Sequence, residues 1–164
     1  MTKMFRTLFL TTMLIMAFCS VSFAAQATLP DSEIAIGGLT VGMSPGNVQD
    51  IYGAPDQINS KNGQLFYSYG GTVNIIFSKN YYNNNPDVEI NQIKVTANNG
   101  FTTPSGLHVG MTYSEMVNLY GKHPAMAGPP HGNEIGYIYY SSKGNVLSIQ
   151  TVNKKITGIV VRVN

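Results

Sequence analysis

One stretch of this chain occurs twice. Gly38-Leu39-Thr40-Val41-Gly42-Met43-Ser44 returns as Gly106-Leu107-His108-Val109-Gly110-Met111-Thr112, and Ile51-Tyr52-Gly53 returns as Leu119-Tyr120-Gly121. The spacing is 68 residues at each matched position, and a proline follows each copy, at Pro55 and at Pro124. Whatever local structure the first copy adopts, the second is bound to adopt as well, so the fold has to accommodate the same unit twice.

Read physically, the unit is the start, body and end of a short helix. Ser44 and Thr112 are good N-caps, because a hydroxyl there accepts from a backbone N–H of the first turn. Pro45 suits the first helical position of copy one. Thr112-Tyr113-Ser114-Glu115 spells a capping box, and Met43 with Val48, or Met111 with Met116, has the spacing of a hydrophobic staple. Val48, Ile51 and Tyr52 share one helical face, as do Met116, Leu119 and Tyr120. Gly53 and Gly121 then end the helix, and the proline beyond blocks its continuation. Gly42-Met43-Ser44-Pro45-Gly46 also fits the G-x-S-x-G pattern of a nucleophile elbow. Copy two, however, has Thr112 in that place, and the chain is short for the large α/β sheet an elbow requires. Capping is the preferred role of Ser44, with a small serine hydrolase as the alternative.

Beyond each helix the apolar period changes to two. Runs at 65–69, 72–78 and 90–96 follow the first helix, and runs at 136–140, 145–152 and 156–163 follow the second. These predict an α+β fold of two tandem repeats, each a short helical segment followed by a three-stranded antiparallel meander, with the helices on one sheet face. The expected organisation is a signal peptide at 1–24, a linker at 25–35, a first unit at 36–103 and a second at 104–164.

The signal peptide is read from Lys3 and Arg6 ahead of an apolar run at 7–18, with Ser22-Phe23-Ala24 setting small residues where a signal peptidase cuts. Cleavage is expected after Ala24, with Ala27 as second choice. The apolar run is short for a membrane anchor. Cys19 is a poor lipid-attachment site, because Phe18 stands where a lipobox needs Gly or Ala. Without Lys3 and Arg6 the chain carries 8 basic and 8 acidic residues, a neutral balance that argues against nucleic acid and against docking on anionic lipid. Cys19 is the only cysteine, so the exported domain has no disulfide and depends on its core. The expected location is extracytoplasmic, in the periplasm or the medium.

The pattern G-L-x-V-G-M-S/T followed by Y-G-x-P and short aromatic strands resembles two related families. One is the SmpA/OmlA family of outer-membrane-assembly lipoproteins, which have one such unit. The other is the secreted β-lactamase inhibitory proteins, which have two in tandem and present a concave sheet to an enzyme. The resemblance covers nearly all of 36–164 and implies a protein-binding role. It does not extend to the lipoprotein anchor, which Phe18 spoils, or to the inhibitors' disulfides.

Two places are candidates for recognition. Between the second and third strands, copy one inserts Tyr81-Tyr82-Asn83-Asn84-Asn85-Pro86-Asp87 where copy two has a tight turn at Asn153-Lys154. Tyr81 and Tyr82 offer stiff contact area, and Asn84 and Asp87 offer adaptable polar contacts. The second place is the strand tyrosines, Tyr67 with Tyr69 and Tyr137 with Tyr139, each pair on one strand face. They either line the open sheet face or pack beneath the helices with their hydroxyls at the rim, since alternation alone does not say which face is inside. His123, His131 and Glu134 lack a compact metal-ligand spacing, and no cofactor or metal site is read. The sequence therefore points to an exported, non-enzymatic protein-binding module, inhibitor-like or envelope-assembly-like. Its partner would be a protein of the cell envelope or medium, bound through the open sheet face and the Tyr81–Asp87 hairpin. The alternatives are the Ser44 hydrolase and a structural envelope component without a discrete partner.

Overall fold

A computed structural model describes residues 28–79, 87–123 and 125–164. The signal-peptide segment, with Cys19 and the Ala24 and Ala27 cleavage sites, lies outside the described residues, as do Tyr81, Tyr82 and Asn84 of the inserted hairpin. A short ladder of β1 (Ala35–Ile36) and β2 (Leu39–Thr40) precedes helix α1 (Pro45–Tyr52). Strands β3 (Gln57–Lys61), β4 (Gln64–Tyr69), β5 (Val73–Lys79) and β6 (Val88–Val95) follow. Helix α2 (Tyr113–Tyr120) leads into β7 (Ala125–Met126), β8 (Glu134–Tyr140), β9 (Val146–Val152) and β10 (Lys155–Arg162).

The expected fold class needs correction. Among the described residues the chain is mostly β, with two α-helices and one continuous antiparallel sheet of eight strands, not two tandem helix-plus-three-stranded meanders. The strand order is β3-β4-β5-β6-β10-β9-β8-β7. Two physical facts account for the difference. First, β6 and β10 pair with each other, matching Val95 to Ile159 and Ile93 to Val161, so no boundary divides the sheet. Secondly, each outer end carries a further strand with little apolar patterning. All five residues of β3 are exposed, and β7 has two residues.

The core is laid down in rows across the strands. Tyr67, Ile75, Ile93, Val161, Leu147 and Tyr139 are successive cross-strand partners, and all are buried. Val73, Val95, Ile159, Ile149 and Tyr137 form the next row, also buried. Val48 of α1 and Met116 and Tyr120 of α2 close over this face, with Ile34, Ile36, Leu39 and Leu107 from the connecting segments. Each fully buried aliphatic side chain of this kind contributes about 1.5–3 kcal/mol relative to exposure, which is how a chain without disulfides holds together.

The helix starts are built as their sequences imply. Ser44 Oγ accepts from Asn47 N–H at 3.3 Å, and Thr112 Oγ1 accepts from Glu115 N–H at 3.3 Å while Glu115 Oε2 accepts from Thr112 N–H at 2.7 Å. Gly53 and Gly121 both follow their helix at φ 75° with ψ near 180°, a backbone region open to glycine alone. The methionine ahead of each cap has a second job. Met43 Sδ accepts from Thr40 N–H at 3.3 Å and Met111 Sδ from His108 N–H at 3.4 Å, folding the preceding turn onto the thioether. The peptide groups here are also tied to the sheet. Gly42 N–H donates to Ile90 O and Ile90 N–H to Met43 O, at 2.9 and 2.8 Å, and Gly110, Met111 and Ile156 repeat the arrangement.

Loss of the Ser44 hydroxyl in Ser44→Ala should lower stability by about 1 kcal/mol. Thr112→Ala should cost more, since it dismantles a reciprocal box, and urea unfolding of the two variants tests the order. The Thr112 backbone N–H, helped by its hydroxyl, holds the Glu115 carboxyl below the ordinary glutamate range. A carboxylate depressed in the folded state stabilises above its unfolded pKa, and that contribution is lost as pH falls through the folded value. Acidification should therefore erode the α2 cap, and Glu115→Gln should remove this part of the acid sensitivity.

Candidate functional site

Cross-strand register assigns every strand residue to a face. Of the two placements left open for the strand tyrosines, the one beneath the helices is observed. Tyr67 and Tyr137 are 6% and 7% exposed and Tyr139 is fully buried, in the rows that the helices cover. The hydroxyls of Tyr67 and Tyr139 run to the helices. Gln49 Nε2 on α1 donates to Tyr67 Oη at 2.9 Å, and the Tyr67 ring meets Phe77 edge-on at 4.8 Å. Tyr69, half-buried, donates to Gly53 O at 3.1 Å, and Tyr139 donates to Gly121 O at 2.7 Å. Each helix end thus hands its last free carbonyl to a phenol from the sheet. Tyr137 packs between Tyr113 and His123, with ring centroids at 4.8 and 4.5 Å. Asp87 is exposed immediately before β6.

The opposite face carries residues that the sequence reading passed over. Asn59, Phe66, Ile76, Gln92, Arg162, Val146 and Tyr140 are partners in one row. Gln57, Ser68, Asn74, Lys94, Val160, Ser148 and Ile138 are partners in the next. All of these except Val146 reach solvent, and neither helix lies over them. The face mixes half-buried apolar groups with amides and hydroxyls, and two cations, Lys94 and Arg162, stand at its centre on β6 and β10. Gln57, Asn59 and Asn74 have no side-chain hydrogen bond among the described residues. With Lys61, Phe66 and Ser68 they line a half-open depression of about 360 Å³ over β3, β4 and β5. The signal that could have found this face is the parity of the tyrosines: once Tyr67 and Tyr139 are inside, their sequence neighbours are outside.

The other sequence candidates sit apart from it. Ser44 is committed to its cap. His123 Nδ1 donates to Ala125 O at 3.0 Å and its ring meets Tyr137 at a tilt of 46°. His131 and Glu134 exchange backbone hydrogen bonds across a tight turn. Among the described residues no group of three or more His, Cys, Asp or Glu side chains is placed to hold a metal, and no helix is long and apolar enough to cross a membrane.

No family model and no curated protein matches the sequence. Two solved structures are similar in outline. A DUF4309 family protein (YjgB) from Bacillus subtilis subsp. subtilis str. 168 shares 18% identity at a TM-score of 0.49, over 84% of this chain and 88% of that one. An extracellular protein containing an SCP domain from Bacillus anthracis str. Ames shares 12% identity at a TM-score of 0.47, over 76% of this chain and 44% of that one. The chain therefore spans less than half of the second protein. At these values neither likeness bears on function, and the resemblance drawn from the helix-start motif has no counterpart in them.

Burial holds the Tyr139 phenol up at about 12, from an ordinary 10.0. A phenol whose folded pKa is raised contributes stability that is complete below the unfolded value and is lost as pH rises toward the folded one. Stability should therefore decline between pH 10.0 and about 12, and Tyr139→Phe should flatten that decline. The same variant should cost about 1 kcal/mol at neutral pH by leaving Gly121 O without its donor, as urea midpoints will show.

Proposed function

We propose that this protein is an exported, non-enzymatic binding module that engages a protein partner of the cell envelope or medium with the uncovered face of its sheet. One observation carries the reading. A rigid eight-stranded sheet leaves one broad face without a helix, and that face mixes half-buried Phe66, Ile76, Val160, Ile138 and Tyr140 with solvent-exposed amides and two central cations. Interleaved apolar and hydrogen-bonding groups on a stiff support are what protein interfaces are made of. Lys94 and Arg162 favour a partner with acidic groups opposite the centre of the sheet. The inserted segment Tyr81–Asp87 is retained, on its composition, as a second arm of recognition. Ser44 supports the non-enzymatic reading through its cap, and the basic-apolar-small pattern of 1–24 supports export.

Affinity capture from envelope and culture-supernatant fractions tests this directly. The double variant Lys94→Glu with Arg162→Glu should lose the captured partner while keeping its melting temperature within a few degrees, since exposed substitutions away from the core change stability by only about 0.5 kcal/mol each. Tyr81→Ala with Tyr82→Ala should weaken capture if the insertion takes part. Ser44→Ala should retain capture. A hydrolytic activity that disappears in Ser44→Ala would overturn the reading, and so would capture indifferent to the face and loop variants together.

A further inference from the structure

The two outer edges of the sheet differ in what they can pair with. The β7 edge is two residues long and runs into Ala127-Gly128-Pro129-Pro130, so it offers no ladder to a neighbour. The β3 edge offers a full one. It has five residues, no proline and no bulge, and β4 pairs with it on one side only. Lys61 and Gln64 flank a two-residue turn in which Asn62 and Gly63 have φ 54° and 76°. In such a hairpin the flanking pair exchanges both its hydrogen bonds, and the bonding alternates from there. Lys61, Asn59 and Gln57 thus bond inward to β4, and Ile58 and Ser60 direct their N–H and C=O groups off the edge. Ile58 is also 56% exposed, the most of any large apolar side chain among the described residues. It lies on the helix side, directly opposite Tyr67, where α1 ends its cover through Gln49.

We infer that the β3 edge pairs with the β3 edge of a second copy, giving an antiparallel, two-fold dimer with one sheet running through both molecules. A row of outward N–H and C=O groups recognises only another extended backbone, and this edge is complementary to itself. Pairing about Ile58 sets Ile58 on Ile58 of the second copy, a pair that exchanges two hydrogen bonds, and sets Ser60 opposite Asp56, whose own N–H stays on Ser68 O at 3.0 Å. The pairing sets Lys61 opposite Pro55, so no like charges face each other. Gln57 and Asn59 are each donor and acceptor, and they meet across the axis on the uncovered side. The equal count of basic and acidic residues beyond the signal adds no long-range repulsion between copies. The dimer abuts the depression over β3, β4 and β5 with its mate, so the recognition face becomes a doubled one.

Sedimentation velocity of the purified protein over a concentration series to about 100 µM, a range suited to so small an interface, tests the inference. Dimer is expected, with the dissociation constant raised about tenfold or more in Ile58→Lys, which places an edge lysine in the contact. Ser60→Pro should act likewise, because it removes an outward N–H that β4 does not use. Met126→Lys at the opposite edge should leave the dimer intact. In a Cys19→Ser background, Ile58→Cys should form an intermolecular disulfide on mild oxidation, since hydrogen-bonded antiparallel pairs set their Cα atoms about 5.5 Å apart. Circular dichroism of each variant excludes misfolding as the cause. A monomer at every concentration overturns the inference and leaves the edge to a strand from another protein. A dimer that survives Ile58→Lys, together with an Ile58→Cys variant that gives no crosslink, overturns it as well.

Discussion

The pairing of β6 with β10 is the contact on which the rest of the molecule depends. Four registered residue pairs make it, and they work on both faces at once. Ile93 with Val161 and Val95 with Ile159 complete the buried rows beneath the helices, while Lys94 and Arg162 on the same strands form the centre of the uncovered face. Without this seam each half would be a small curled sheet with one helix, too small to bury its own apolar side well. The last strand of the chain is therefore central in the sheet. Its partner is separated from it by most of the second half of the chain, a non-local closure of the kind that slows folding.

The helices are fixed by the sheet more than by their own propensity. Eight residues are too few for an independent helix in water. Each is held at both ends: at the start by a side-chain cap and by backbone hydrogen bonds to Ile90 or Ile156, and at the finish by a phenol on the carbonyl of Gly53 or Gly121. Tyr67, Tyr69 and Tyr139 in the strands thus serve the helices, which explains why tyrosine stands there where leucine would pack equally well.

Local chemistry was legible in the sequence and pairing was not. The caps at Ser44 and Thr112, the glycine stops and the six longer strands all follow from residues within a turn or two of one another. The fold class does not, because joining β6 to β10 is a choice among edges that have no local signature. β3 escapes a reading by pattern because Gln57-Ile58-Asn59-Ser60-Lys61 has a single apolar residue, although Asn62-Gly63 just beyond it is a strong hairpin signal. The tyrosines show the same limit. Period two places Tyr67 with Tyr69 and Tyr137 with Tyr139 correctly, yet only the row through Ile75, Ile93, Val161 and Leu147 says that they face inward. The uncovered face, proposed above for recognition, is therefore the complement of the residues that draw notice in the sequence.

The two thioethers at the helix starts have a chemical consequence wherever the protein meets an oxidant. Met43 and Met111 are partly buried, and each sulfur serves as the acceptor that folds a turn against the sheet. Sulfur is the one atom in that turn that mild oxidants attack, and conversion to the sulfoxide replaces a soft apolar group with a polar, chiral one. The added oxygen occupies the space through which the Thr40 or His108 N–H approaches. Exposure to peroxide thus acts at two equivalent points, loosening both helix starts together, and a reductase specific for the sulfoxide is what restores them.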